Sequence, residues 1–65
     1  MISRRELRTL TRAELFDAAT EAEISGDFFS AHVFWEQAYW IATLKINRSF
    51  ALAKAEMCKR KSTHG

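Results

Sequence analysis

Apolar residues recur along this chain at spacings of three and four, which is the period of an amphipathic α-helix. No segment alternates apolar and polar residues with period two. Proline is absent and only two glycines occur. We therefore predict an all-α fold, a small three-helix domain made of a helical hairpin and a third helix, with the option of a short N-terminal helical arm.

The first long helix is predicted over residues 11–25. Thr11 and Glu14 have the spacing of a capping box, in which each side chain binds the backbone N–H of the other residue. Gly26 is expected to end this helix, because glycine adopts the left-handed conformation without steric cost. The predicted inward face is apolar: Leu15, Ala18, Ala19 and Ala22. The opposite face is acidic: Glu14, Asp17 and Glu21.

The second helix is predicted over residues 27–44, with Asp27 as its N-cap. Its core stripe follows helical spacing: Phe28, Ala31, Trp35, Ala38 and Ala42. A second apolar stripe lies on the far side: Phe29, Val33, Trp40 and Leu44. Phe34 and Ile41 lie on a third side. A helix that is apolar nearly all round is either central in its domain or partly covered by a partner.

The third helix is predicted over residues 47–60, with Asn47 as its N-cap. Two stripes follow its length. The bulkier stripe is Ile46, Phe50, Ala53 and Met57. The slender stripe is Ala51, Ala55 and Cys58. Lys54 projects between them and is expected to pair with an acidic residue of another helix. Residues 1–10 are expected to form a basic arm or short helix, and residues 61–65 a frayed tail.

A chain of 65 residues has room for one domain. Cys58 is its only cysteine, so no disulfide can form within it, and a lone thiol suits a reducing compartment. No secretion signal and no apolar run of membrane-spanning length is evident. We therefore predict a cytoplasmic protein that does not associate with a membrane.

No catalytic constellation stands out, and we expect a non-enzymatic protein without metal or cofactor. Cys58 is expected to be a small buried thiol, because it falls on a face of small residues. His32 is expected to lie at a helix edge beside Glu36, one turn away. The cysteine, histidines and carboxylates show no metal-ligand spacing, and there is no glycine-rich phosphate loop.

The net charge of +2 conceals basic ends on an acidic centre, since residues 13–44 hold acidic residues and no Lys or Arg. DNA binding through the second helix is therefore disfavoured, because phosphate attraction supplies much of the affinity in such complexes. The third helix is the better DNA candidate, with four polar or basic residues: Asn47, Arg48, Lys54 and Lys59. We rank direct nucleic-acid binding below protein binding.

Protein binding is favoured by the surplus of aromatic side chains on the second helix. The predicted binding surface combines apolar residues of that helix with the acidic face of the first: Phe29, Val33, Phe34, Trp40, Ile41, Glu14, Asp17 and Glu21. Phe34, Tyr39 and Ile41 are candidates for exposure in any arrangement. The alternative is that the first and third helices cover both stripes of the second.

Residues 13–60 resemble the ANR family, the AraC negative regulators of enteric and related bacteria. The hairpin part of the resemblance is the run Ala19–Glu23 followed by Gly26, Asp27, Ala31, Trp35 and Ala38. The more specific part is Asn47, Phe50, Lys54 and Cys58 at spacings of three, four and four. Phe50 stands where the family usually has Trp, and Lys54 where it usually has Arg, and Lys cannot make a bidentate Arg contact.

The resemblance implies a small regulator that binds an AraC-type transcription activator and represses it, often at virulence genes. It further implies contact with nucleoid-associated proteins such as the histone-like silencer. A rival resemblance is to the PerC-like transcription activators, which would imply direct DNA binding. A third interpretation is a homo-oligomeric accessory protein, in which the second helix is buried in a homodimer.

Overall fold

The computed structural model describes residues 4–64, which form four helices and no strand. The helices are α1 (Arg4–Thr9), α2 (Arg12–Ile24), α3 (Phe28–Ile41) and α4 (Lys45–His64). The all-α prediction is confirmed: α2, α3 and α4 are the three predicted helices, and α1 takes the place of the N-terminal arm. Residues 1–3 and Gly65 lie outside the described part of the chain.

The predicted capping box is present at the start of α2. The Glu14 N–H donates to Thr11 Oγ1 at 3.2 Å, and the Thr11 N–H donates to Glu14 Oε1 at 2.8 Å. At the other end, Gly26 has a φ of +84°, in the left-handed region, and α2 ends at Ile24. The sequence therefore predicted both ends of this helix, because both are set by residues close to the ends themselves.

The predicted end of the second helix was wrong. Asp27 caps α3 as expected, accepting the Ser30 N–H at 3.2 Å, but α3 ends at Ile41 rather than at residue 44. Ala42 has extended backbone angles, φ −69° and ψ 135°. The Arg48 guanidinium donates to the carbonyls of Tyr39 and Ala42, both at 3.2 Å. These bonds satisfy carbonyls that the end of a helix leaves open, so α3 stops there.

Both predicted ends of the third helix were also wrong. The helix α4 begins at Lys45, because the Arg48 N–H already donates to the Leu44 carbonyl at 3.0 Å, and Asn47 lies in its first turn. It continues through the predicted tail as far as His64. No glycine or proline interrupts residues 61–64, and the hydroxyls of Ser62 and Thr63 donate to carbonyls within the same helix.

The core forms where α3 packs against both α2 and α4, with α1 against α3. Most of the buried residues are small, which lets helix axes approach closely, and Trp35 is the largest of them. The buried core cluster is Leu15, Ala19, Ala22, Ala31, Trp35, Ala38, Ala51, Ala55 and Cys58. The predicted core stripe of α3 is therefore inward, and on α4 the slender stripe is the buried one.

Candidate protein-binding surfaces

Three helices meet at one carboxylate, Glu23 of α2. The indole Nε1–H of Trp35 donates to Glu23 Oε2 at 2.9 Å, and Lys54 Nζ donates to Glu23 Oε1 at 3.0 Å. Lys54 Nζ also lies 5.7 Å from the centre of the Trp35 ring. We call Glu23, Trp35, Lys54 and Cys58 the Glu23 junction. It confirms that Lys54 pairs with an acidic residue of another helix.

The environment of the Glu23 junction keeps the carboxylate charged and the thiol protonated. Burial alone would raise the pKa of Glu23, but the hydrogen bonds from Lys54 and Trp35 outweigh it, and the pKa lies below its ordinary value. Burial, reinforced by the charge of Glu23, raises the pKa of the Cys58 thiol. A buried protonated thiol is a poor nucleophile, so Cys58 acts here as a core residue, as predicted.

The role of Glu23 was missed from the sequence, where it entered only as part of a family-like run. The signal that could have found it is Lys54 itself. A lysine placed among apolar helix positions requires a partner carboxylate. Glu23 is such a carboxylate, near the end of α2 and just before the hairpin turn. Trp35, Lys54 and Cys58 of the family-like pattern therefore come together in space around Glu23.

Beside the Glu23 junction, an open groove of about 470 Å³ runs between α2 and α4. Three rings form its apolar part: Phe16 lies 5.0 Å from Trp35 and 5.7 Å from Phe50 between ring centres, and Trp35 lies 5.5 Å from Phe50. We call it the aromatic groove, and its lining is Phe16, Asp17, Thr20, Glu23, Ile24, Trp35, Phe50 and Lys54. Trp35 is buried at its floor, whereas Ile24 is 82% exposed at its rim.

A second apolar surface lies on the side of α3 that faces away from the core. On α3, Trp40 is 67% exposed and Phe29 52%, and Val33 is partly exposed between them. Leu44, in the turn after α3, is 62% exposed. We call these four residues the outer α3 surface. Trp40 also lines a shallow cleft of about 260 Å³ with Leu52 of α4. The alternative in which α2 and α4 cover both stripes of α3 is therefore wrong, because both pack against the Trp35 side.

Two aromatic residues that were candidates for exposure are only partly exposed. Phe34 and Tyr39 are partly buried and pack against the core cluster. Tyr39 also lies under the Arg48 guanidinium, 4.4 Å from the ring centre. Ile41 is exposed as expected. Sequence reasoning passed over four exposed apolar residues, three of them on α4, where it did not settle which face points inward: Ile24, Ile46, Phe50 and Leu52.

The acidic residues of α2 are exposed, but they do not extend the outer α3 surface. Glu14 is engaged in the capping box, where the hydrogen bonds from Thr11 hold its pKa below the ordinary value. Asp17 lines the aromatic groove. Neither Glu14, Asp17 nor Glu21 lines the cleft that holds Trp40. The single surface predicted from the sequence is therefore two surfaces, one apolar on α3 and one apolar and acidic beside α2.

Comparison with known proteins found no matching family model, curated protein or solved structure. Within residues 4–64, no group of three or more His, Cys, Asp or Glu side chains is placed to hold a metal ion. In the same part of the chain, no helix has both the length and the apolar character needed to cross a bilayer.

Proposed function

We propose that this chain is a small regulator that acts by binding another protein through the outer α3 surface. The observation that carries the proposal is the exposure of Phe29 and Trp40 on one side of α3, with Leu44 exposed in the turn that follows the helix. A cluster of large apolar side chains left in water favours association, and tryptophan is among the residues that contribute most to interface affinity. In this proposal the protein acts by burying its outer α3 surface against the partner.

The proposed partner is an AraC-type transcription activator, and the proposed effect is repression. The support for this choice is the resemblance of residues 13–60 to the AraC negative regulators. Such repression needs no chemistry, since occupying a surface that the activator uses for dimerisation or DNA contact is sufficient. A nucleoid-associated protein is a further partner that the resemblance suggests.

The cations of α4 argue against direct DNA binding as the main function. Arg48 is engaged with two carbonyls of α3, and Lys54 with Glu23. Lys61 lies 5.0 Å from the centre of the Phe28 ring. Three of the six cations of α4 are therefore engaged within the fold, and Lys45, Lys59 and Arg60 are left exposed. Fewer available cations mean fewer phosphate contacts and a lower expected affinity for DNA.

The test is isothermal titration of each purified AraC-type activator of the host genome with this protein. The double variant Phe29→Ala/Trp40→Ala is expected to weaken binding by about thirtyfold or more, the effect of losing interface anchors. Both side chains are more than half exposed, so the variant should keep its fold. The matched control is Ile46→Ala, which removes an exposed apolar side chain outside both surfaces and should bind like the wild type.

Three results would contradict the proposal. Unchanged binding by the double variant would show that the surface is misassigned. Tight binding to DNA alone, weakening steeply as salt rises, would favour the PerC-like reading. A stable homodimer in sedimentation that is lost in the double variant, together with no activator binding, would favour the homo-oligomeric accessory protein.

A further inference from the structure

We propose that the aromatic groove is a second docking site, which binds a basic amphipathic helix of a partner protein. This goes beyond the function proposed above, because the groove shares no residue with the outer α3 surface. In this arrangement an apolar side chain of the partner rests on the exposed ring of Phe50, which contacts buried Trp35, and Lys or Arg side chains lie beside Asp17. The argument rests on the shape of the groove, its rigidity and its charge.

The shape fits a helix. The groove is open to solvent, and its lining spans residues 16–24 of α2 and 50–54 of α4. Both helices contribute exposed apolar side chains, Ile24 from α2 and Phe50 from α4. An amphipathic helix binds such grooves by inserting side chains spaced three and four residues apart. An open groove of this kind leaves a small ligand largely in water, whereas a helix covers both walls at once.

The floor of the groove is already fixed before a partner arrives. Phe16, Trp35 and Phe50 contact one another, and the Trp35 indole is tied to Glu23, which is tied in turn to Lys54. Side chains that are held in place lose little conformational freedom on binding, which favours affinity. The Glu23 junction therefore supports the groove from within the fold.

The charge of the groove selects a basic partner. Lys54 is the one cation that lines it, and Glu23 already binds that cation. Asp17 also lines the groove and forms no ion pair among the described residues, and Glu21 lies exposed one turn further along α2. Arg12, whose guanidinium lies 5.0 Å from the centre of the Phe16 ring, offsets one of the two carboxylates Asp17 and Glu21. The charge open to a partner is therefore negative on balance, which attracts Lys and Arg.

The two tryptophans make the proposal testable by nuclear magnetic resonance, because each indole reports one surface. The ¹⁵N-labelled full chain is titrated with a synthetic peptide of about 16 residues, with Leu at i, i+3, i+4 and i+7 and Lys on the flanks. The control peptide has Glu in place of each Lys. The Lys peptide should shift the Trp35 indole signal and leave that of Trp40 in place, and the Glu peptide should shift neither.

Two pairs of variants then locate the site. Asp17→Lys should weaken binding of the Lys peptide by about tenfold, whereas Glu56→Lys, the same charge change on the far side of α4, should have little effect. Ile24→Ser should weaken binding, whereas Ile46→Ser, with similar exposure outside the groove, should not. Circular dichroism checks that each variant is folded, and the exposed positions make unfolding unexpected.

Several outcomes would overturn the proposal. These are no binding of the Lys peptide, equal binding of the two peptides, a shift of Trp40 instead of Trp35, or equal weakening by both members of a variant pair. Failure here would leave activator binding through Trp40 untouched. Conversely, the groove can bind the Lys peptide in a protein whose outer α3 surface binds no activator.

Discussion

At the scale of single residues, Glu23 links three helices, because its two carboxylate oxygens are bound by donors from two other helices. A partly buried ion pair adds little when compared with a well-packed apolar pair, but removing one partner leaves the other charge without compensation. The apolar pattern alone does not identify this carboxylate, because its partner Lys54 lies 31 residues further along the chain.

Replacing Glu23 with Gln should lower the free energy of unfolding by about 1–3 kcal/mol, because Lys54 then loses its charged acceptor in a partly buried position. Urea unfolding followed by circular dichroism measures the change. The double variant Glu23→Gln/Lys54→Met should lose less stability than the two single changes added together. Additive losses, or a loss no larger than that of the exposed control Glu56→Gln, would show that the pair does not act as a unit.

Glu23 also makes the free energy of unfolding depend on pH. The pKa of Glu23 is lower in the folded protein than its ordinary value of 4.5, so at acid pH the unfolded chain binds more protons than the folded one. The stabilisation is present above that ordinary pKa and is lost as pH falls through the lowered, folded-state pKa. Unfolding free energies measured from pH 6 to about pH 2 should fall in the wild type and fall less in Glu23→Gln.

Some acid sensitivity should remain in the Glu23→Gln variant. Hydrogen bonds from the Ser30 side chain and backbone lower the pKa of Asp27, and hydrogen bonds from Thr11 lower that of Glu14. Both groups therefore lose stabilising contacts on protonation. Identical pH profiles for the wild type and the variant would contradict the role given to Glu23.

At the scale of elements, some helix ends are set by residues next to them in the sequence, and others by contacts from another helix. The capping box sets the start of α2 and Gly26 sets its end, so the sequence is sufficient to predict both ends of this helix. The end of α3 depends instead on Arg48, which reaches back from the next helix to two carbonyls. A helix end that is capped across a turn cannot be deduced from the spacing of apolar residues, and this is why residues 42–44 were wrongly placed in the helix.

Gly26 provides a test at this scale. Gly26→Ala should lower the free energy of unfolding by about 1 kcal/mol, the usual cost of the left-handed conformation for a residue with a Cβ. A Cβ at this position would meet no atom within 4 Å, so backbone strain is the only expected cause. Gly26→Asn should cost less, because asparagine tolerates this conformation. Equal losses for Ala and Asn in urea unfolding would contradict this explanation.

At the scale of the whole molecule, the helical pattern predicted two apolar stripes on α3 and left open whether both would be covered. It did not predict that the acidic face of α2 belongs to a different surface from Trp40, because that depends on how three helices are arranged around Trp35. The structure therefore offers two surfaces of different chemistry. The outer α3 surface is apolar and suits a large apolar patch on a partner. The aromatic groove is apolar with acidic residues beside it.

The decisive measurement for the proposed function is a titration of the ¹⁵N-labelled chain with an AraC-type activator that it binds, followed through the two indole signals. Coverage of the outer α3 surface predicts that the Trp40 signal shifts or broadens in proportion to complex formation, together with the backbone signals of Phe29, Val33 and Leu44. A complex that forms with the Trp40 signal unchanged would contradict the account, whatever its affinity.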